Sequence, residues 1–288
     1  MKTGDEDMGV TKKKTLEKDP EGKDVFLYEL SNENGMSVSV TDFGAILVRV
    51  MVPDKDKNLT DVVLGYDNVE GYYENKPHFG SPIGRNGNRI GGAKFTINGK
   101  EYVLAQNDNK NNLHSGPDFY RIRVWDVERV EEQENSITFR IFSPDGDQGF
   151  PGNFTGYVTY KLTQDNELVM HYTGSADADT VVNMTNHSYF NLAGHNAGAE
   201  SMLNHVVQIH APEFTPVSDS EAIPTGEILK VEGTPMDFTS PKKIGQDVED
   251  SYEQLVFGGG YDHNYALSRE KGDVKEAASV HSHETGIT

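Results

Sequence analysis

The sequence predicts an all-β protein, one large antiparallel β-sandwich with a few short helices. Three observations carry that expectation. Short alternating or β-branched runs recur along the chain, turn residues separate them, and no long stretch shows the apolar spacing of an amphipathic helix. The 29 glycines are spread along the chain rather than pooled, as many tight turns require.

Taken in order, residues 1–22 are charged and poor in apolar side chains, and read as a flexible lead-in. Residues 23–288 read as a single β-sandwich domain. "SVSV" (37–40) alternates strictly, and "AILVRVMV" (45–52) is nearly continuous and β-branched, as a buried strand requires. In "KFTINGKEYVL" (94–104), Asn98-Gly99 lies between Phe95/Ile97 and Tyr102/Leu104. That pair fits a two-residue hairpin turn, which needs positive φ at both central positions. Further β runs are "SITFRIF" (136–142), "GYVTYKL" (156–162), "ELVMHYT" (167–173) and "NHVVQIHA" (204–211), with Asp165-Asn166 as a turn. Only "VEGYYEN" (69–75) and "DSYEQLVF" (250–257) carry a turn or two of helix.

Composition narrows the chemistry. The chain has 288 residues, with 26 Lys and Arg against 46 Asp and Glu, a formal charge of −20. Such a charge repels nucleic acid and anionic lipid. No apolar run approaches the roughly 18 residues that would span a bilayer, and no membrane partner is expected. There are no cysteines, which excludes disulfides, thiol catalysis and Cys-ligated metals. The ten histidines show no HExxH or comparable spacing, so no metal site is expected. His281 and His283 read as part of a solvated tail. The opening "MKTGDEDMGVTKKKTLEKDP" lacks the apolar segment of a signal peptide, and cytoplasm is the expected location.

Four polar stretches interrupt the β runs. "GSPIGRNGNRIGG" (80–92) sets Arg85, Asn86, Asn88 and Arg89 among five glycines. It matches neither a P-loop nor a dinucleotide fingerprint. "NDNKNNLHSG" (107–116) carries His114, "TNHSYFNL" (185–192) carries His187, and "GGGYDHNYAL" (258–267) carries Asp262 and His263. Histidine is the side chain most easily tuned to move a proton near neutral pH. For each, the bland alternative is a side chain satisfied inside a sheet or turn. Together, two histidines, Arg, Asn and Asp on loops of a β domain suit an uncharged, hydroxyl-rich ligand. Trp125 or one of the Tyr and Phe rings could stack on its apolar face. A small-molecule sugar is therefore the expected partner, and the protein is expected as a monomer or weak dimer.

From "VTDFGAILVRVMVPD" through "DVVLGYDNVEGYY", "GRNGNRIGGAKFTINGKEYVLAQND", "NLHSG", "TNHSYFNL", "IPTGEI" and "GTPMDF" to "GYDHNY", the chain resembles the aldose 1-epimerase (galactose mutarotase) family. The resemblance covers roughly residues 25–270 in consistent order. It implies a β-supersandwich that needs no cofactor and interconverts the α and β anomers of free aldoses such as glucose and galactose. It implies His187 as the general acid and His114 as a catalytic-site histidine near the ring oxygen. Asn88, Arg89 and Asp262 are the implied sugar-binding residues.

The family's general base is a glutamate several tens of residues beyond the Asp-His stretch, in a segment that also brings a sugar-binding glutamine. No residue here matches that glutamate. The chain runs out at "HSHETGIT", so C-terminal strands of the family pattern are expected to be missing. Two alternatives share the fold. One is a carbohydrate-binding pseudoenzyme without the base. The other is a hexose-6-phosphate 1-epimerase, which would want cationic groups that the −20 charge disfavours. A glycoside hydrolase needs two carboxylates about 5 or about 6.5–9.5 Å apart, and only Asp262 can be nominated.

Overall fold

Val38 and Val40 alternate with serines along a strand that is buried from Val38 to Thr41 on either face. In the computed structural model, which describes residues 9–267 and 274–288, both are fully buried. Their strand belongs to a five-stranded antiparallel sheet: β1 (Gly9–Lys18), β2 (Asp24–Ser31), β3 (Ser37–Thr41), β4 (Leu47–Pro53) and β5 (Leu59–Asp61), in sequence order. Leu30 pairs with Val38 and Tyr28 with Val40. The lead-in expected over 1–22 is corrected here: residues 9–18 form β1, hydrogen-bonded to β2, and residues 1–8 lie outside the described residues. The β-branched run is also trimmed. Gly44 and Ala45 turn with φ of 68° and 50° before β4 begins. A Cβ on Gly44 would lie 2.3 Å from the Arg121 carbonyl, so only glycine fits.

The helix α1 (Val69–Glu74) is capped by Asn68, whose side chain accepts the Gly71 N–H, and it buries Val69 and Tyr72. Short strands β6 (Pro82–Ile83) and β7 (Arg89–Ile90) follow. The hairpin forms as the sequence predicts. Strands β8 (Lys94–Ile97) and β9 (Lys100–Val103) flank Asn98 and Gly99, at φ 52° and 76°. Strand β10 (Asn112–Leu113) pairs with β7.

A four-stranded sheet follows in sequence order: β11 (Asp126–Glu131), β12 (Ser136–Ser143), β13 (Phe154–Leu162) and β14 (Leu168–Ala176). Along β13, Phe154, Gly156, Val158, Tyr160 and Leu162 are buried and the residues between them are not. The turn into β14 holds Asn166 at φ 62°. This sheet and the five-stranded one face each other. Phe139 packs edge-on to Tyr28 at 5.8 Å, and the Tyr160 hydroxyl donates to the Ala45 carbonyl at 2.7 Å. Burial of a side chain such as Phe139, Val158 or Leu30 stabilises by roughly 1.5–3 kcal/mol. Strand β15 (Thr185–Asn186) pairs back onto β6.

Packing divides the chain into two units, where composition pointed to one domain. The first is residues 1–53 with 57–190, the second 54–56 with 191–288. No Gly, Pro or Ser tract marks the division, so composition could not show it. The second unit contains α2 (Ala199–Leu203), β16 (Val206–Ile209), β17 (Glu213–Phe214), β18 (Leu229–Lys230), β19 (Lys242–Lys243), α3 (Glu253–Gly258), β20 (Tyr265–Ala266) and β21 (Ala278–His281). Its two small sheets run β19-β16-β21 and β18-β17-β20. Phe214, Val231, Met236 and Leu255 form its core, with Tyr252, Tyr261 and Tyr265 packed on it. His281 is not in a free tail: it closes β21, paired with Val206, and its ring meets His283 at 4.7 Å. The chain is thus a mostly antiparallel β-sandwich protein with three short helices among the described residues.

Candidate active site

Three imidazoles converge in the first unit. The His114 and His187 rings are 5.0 Å apart, His78 lies 5.0 Å from His114, and His78 lies 5.7 Å from His187. Two-residue ladders set them there. His114 follows β10, which pairs with β7. His187 follows β15, which pairs with β6, and its N–H donates to the Ser81 carbonyl at 2.9 Å. His78 sits in the loop after α1. Buried Asn75 holds that loop, accepting the Phe79 N–H at 2.8 Å and donating to the Phe79 carbonyl at 3.0 Å.

The backbone around the rings is strained. His78, Asn88, His114 and Ser115 have φ of 60°, 63°, 54° and 57°. A non-glycine residue in this region costs on the order of 1–2 kcal/mol. Asn and His tolerate it better than most residues. Such cost persists where surrounding contacts over-determine the geometry, and here they do. The Asn88 N–H donates to His114 Nδ1 at 2.9 Å, and the His114 N–H donates to the Asn88 carbonyl at 3.0 Å. Ser115 Oγ accepts the Asn86 N–H at 2.9 Å and donates to the Asn86 carbonyl at 3.1 Å.

These bonds fix protonation. His114 Nδ1 accepts, so a neutral His114 carries its proton on Nε2. Burial, with His187 and Arg89 nearby, pushes its pKa down to about 3, against an opposing pull from Asp108. His78 Nδ1 accepts from Arg121 Nε at 3.2 Å. Burial, then His114, Arg121 and His187, also push His78 down to about 3. Arg121 is held by the Tyr72 and Tyr73 carbonyls at 3.0 and 2.7 Å and lies over the Phe119 ring. Arg89 Nε is bound by Asp108 at 2.7 Å, and its N–H donates to Asn88 Oδ1 at 2.9 Å.

The structure therefore brings Asn88, Arg89, His114 and His187 together in the first unit. Asp262 belongs to the second unit, exposed on the extended segment between α3 and β20. Its neighbour His263 turns the other way, onto the edge of Phe214 at 5.8 Å, as alternation along an extended run requires. Two expectations are corrected. Arg85 does not reach for a ligand: it is fully buried and donates to the Ser143, Pro144 and Pro151 carbonyls and to Thr180 Oγ1. Trp125 cannot stack on a sugar. It is 2% exposed, and its Nε1 donates to the Tyr120 carbonyl at 3.0 Å inside the core. Sequence reasoning missed His78 and Arg121, because "NKPHFG" has no dense polar context and Arg121 is distant in sequence. Among the described residues, no group of three or more His, Cys, Asp or Glu has the geometry to hold a metal ion.

Known proteins resemble this chain over most of its length. The aldose 1-epimerase family model matches residues 27–288. The galactose mutarotase of Bos taurus is 39% identical over 246 residues, spanning 85% of this chain and 68% of that protein. The aldose 1-epimerase of Escherichia coli is 37% identical over 261 residues, spanning 90% and 73%. Among solved structures, galactose 1-epimerase from Lactobacillus acidophilus superposes with a TM-score of 0.83 at 27% identity, covering 96% of this chain and 78% of that one. On sequence and fold together, this chain belongs to the aldose 1-epimerase family.

Proposed function

We infer that this chain is an aldose 1-epimerase, an isomerase that interconverts the α and β anomers of free hexoses such as glucose and galactose. The observation that carries the mechanism is the pairing of His187 with a histidine whose protonation is fixed. His114 is tied at Nδ1 to Asn88, so it offers Nε2–H as a constant hydrogen-bond donor rather than a proton to transfer. The resemblance gives the acid role to His187, whose ring lies 5.0 Å from that of His114.

In this reading His187 protonates the ring oxygen while a base removes the C1 hydroxyl proton. The C1–O5 bond breaks and the open chain carries an aldehyde at C1. Rotation about C1–C2 presents the other face of the carbonyl, and closure reverses both proton transfers. Each positioned proton-transfer group contributes about 10²–10⁴-fold. His114 donates to a sugar oxygen near the ring, and Asn88 and Arg89 bind hydroxyls; the resemblance adds Asp262 as a sugar-binding residue. Asp108 is not the base, because Arg89 holds its carboxylate. The resemblance gives that role to a glutamate, and no residue of this sequence is assigned to it.

A phosphate handle is disfavoured. Arg89 is engaged by Asp108, and Arg121 by two carbonyls and His78. The reading also includes a cytoplasmic monomer or weak dimer with no nucleic-acid or membrane partner. In support, the charge is −20, and no helix among the described residues is long and apolar enough to cross a membrane. The test is anomer exchange of α-D-glucose, α-D-galactose and α-D-glucose 6-phosphate with and without the protein. The free hexoses should equilibrate faster and the phosphate should not. Acceleration confined to the phosphate would overturn the substrate class, and no acceleration of either hexose would overturn the activity.

A further inference from the structure

The roles above leave His78 unused, although it touches both rings that they employ. We propose that His78, pinned by Arg121, is a positioning residue that sets the angles of the His114 and His187 rings; the proposal rests on the acid reading of His187.

Three observations support it. First, His78 is 7% exposed and packs edge-on to His114 at 5.0 Å, with a tilted contact to His187 at 5.7 Å. Phe119 closes its other side, edge-on at 4.8 Å. Second, its orientation is fixed by a group that cannot change roles. A guanidinium has donors and no acceptor, so His78 Nδ1 must face Arg121 unprotonated and the ring proton must sit on Nε2. A flipped ring would set a carbon against the guanidinium. Third, His78 occupies backbone at φ 60°, and Asn75 bonds the following residue through both ends of its amide. A phenylalanine would fill the same space against Phe119 without a polar ring to satisfy, so packing alone gives no reason for histidine.

The consequence is a clamp. His114 is held at one edge by the Asn88 N–H and contacted by His78 on another side. The titratable or charged groups facing His78 are His114, His187 and Arg121. His78 and His114 are both held neutral by burial.

The experiment uses ¹⁵N-histidine correlation spectra and galactose mutarotation kinetics on the full chain, for the wild type, His78→Phe, His78→Gln and Arg121→Gln. In the wild type, His78 should stay a neutral Nε2–H tautomer from pH 8 to about pH 5. His78→Phe should lower kcat on the order of tenfold with KM within about twofold. It should also shift the ring ¹⁵N signals of His114 and His187. His78→Gln can still accept from Arg121 and donate to its neighbours, and should recover to within about threefold of wild type. A folded His78→Phe protein with wild-type kcat and unmoved His114 and His187 ring signals would overturn the proposal. If His78→Phe does not fold, Arg121→Gln decides: it keeps His78 but relaxes its tautomer, and unchanged spectra and rates would also overturn the idea. Failure of the acid reading shows separately, as full turnover in His187→Asn. The spectra report on positioning whether or not turnover is seen.

Discussion

Asp108 holds the Arg89 guanidinium in place, and in the proposed sugar-binding role of Arg89 this pair sets its orientation. The 2.7 Å bond joins two side chains that are each about one-fifth to one-quarter exposed, so water screens it only partly. Asp108→Asn keeps an acceptor and removes the charge. A charge-assisted bond exceeds a neutral one by about 1 kcal/mol, so KM for galactose should rise about three- to tenfold with kcat nearly unchanged. Steady-state kinetics check this; a fall in kcat at constant KM would instead mean that the pair acts in the transition state. At this scale the sequence was legible where polar residues cluster. Asn88, Arg89, His114 and His187 each lie in a dense polar stretch. His78 was not legible, since its partners Arg121, His114 and His187 come from other loops. Arg85 looked like Arg89 in sequence, and only burial against Phe150 and Phe154 separates their roles.

Elements were readable where local chemistry decides them. Asn98-Gly99 specifies its own turn, β13 shows its buried face in the alternation from Phe154 to Leu162, α1 falls within the first helical stretch, and α3 overlaps the second and ends one residue past it. Strand β1 was hidden because it is held by backbone pairing rather than an apolar pattern. Its Lys12 lies with its ammonium over the Phe26 ring at 3.6 Å, so a charged residue there covers apolar surface. The two-residue ladders β6–β15 and β7–β10 are too short to carry periodicity, yet they place His187 and His114. The part of the fold that builds the site is thus the part that pattern reading resolves least.

For the whole molecule, the buried imidazoles link stability to pH. Unfolding returns His78 and His114 to water, where the pKa is about 6.5. Between that value and about 3 the unfolded chain binds protons that the folded chain refuses. Their contribution is complete above pH 6.5 and is lost as pH falls, by up to about 1.4 kcal/mol per pH unit for each ring. Asp42 acts in the opposite sense. Burial raises it from 3.8 to about 6, so the folded chain binds its proton more tightly across that interval. Two rings outweigh one carboxylate, and urea midpoints should fall from pH 7 to pH 4.5. His78→Phe should flatten that slope by about one ring's share, and an unchanged slope would place His78 in water. Delivery of the proton from His187 to the ring oxygen can be tested on turnover itself. Polarimetry of α-D-galactose at pH 7 would compare the wild type with His187→Asn, which keeps polarity and removes the titratable ring. The expected result is a fall in kcat of about 10²-fold or more with KM within about tenfold. Turnover within about threefold of the wild type would contradict it.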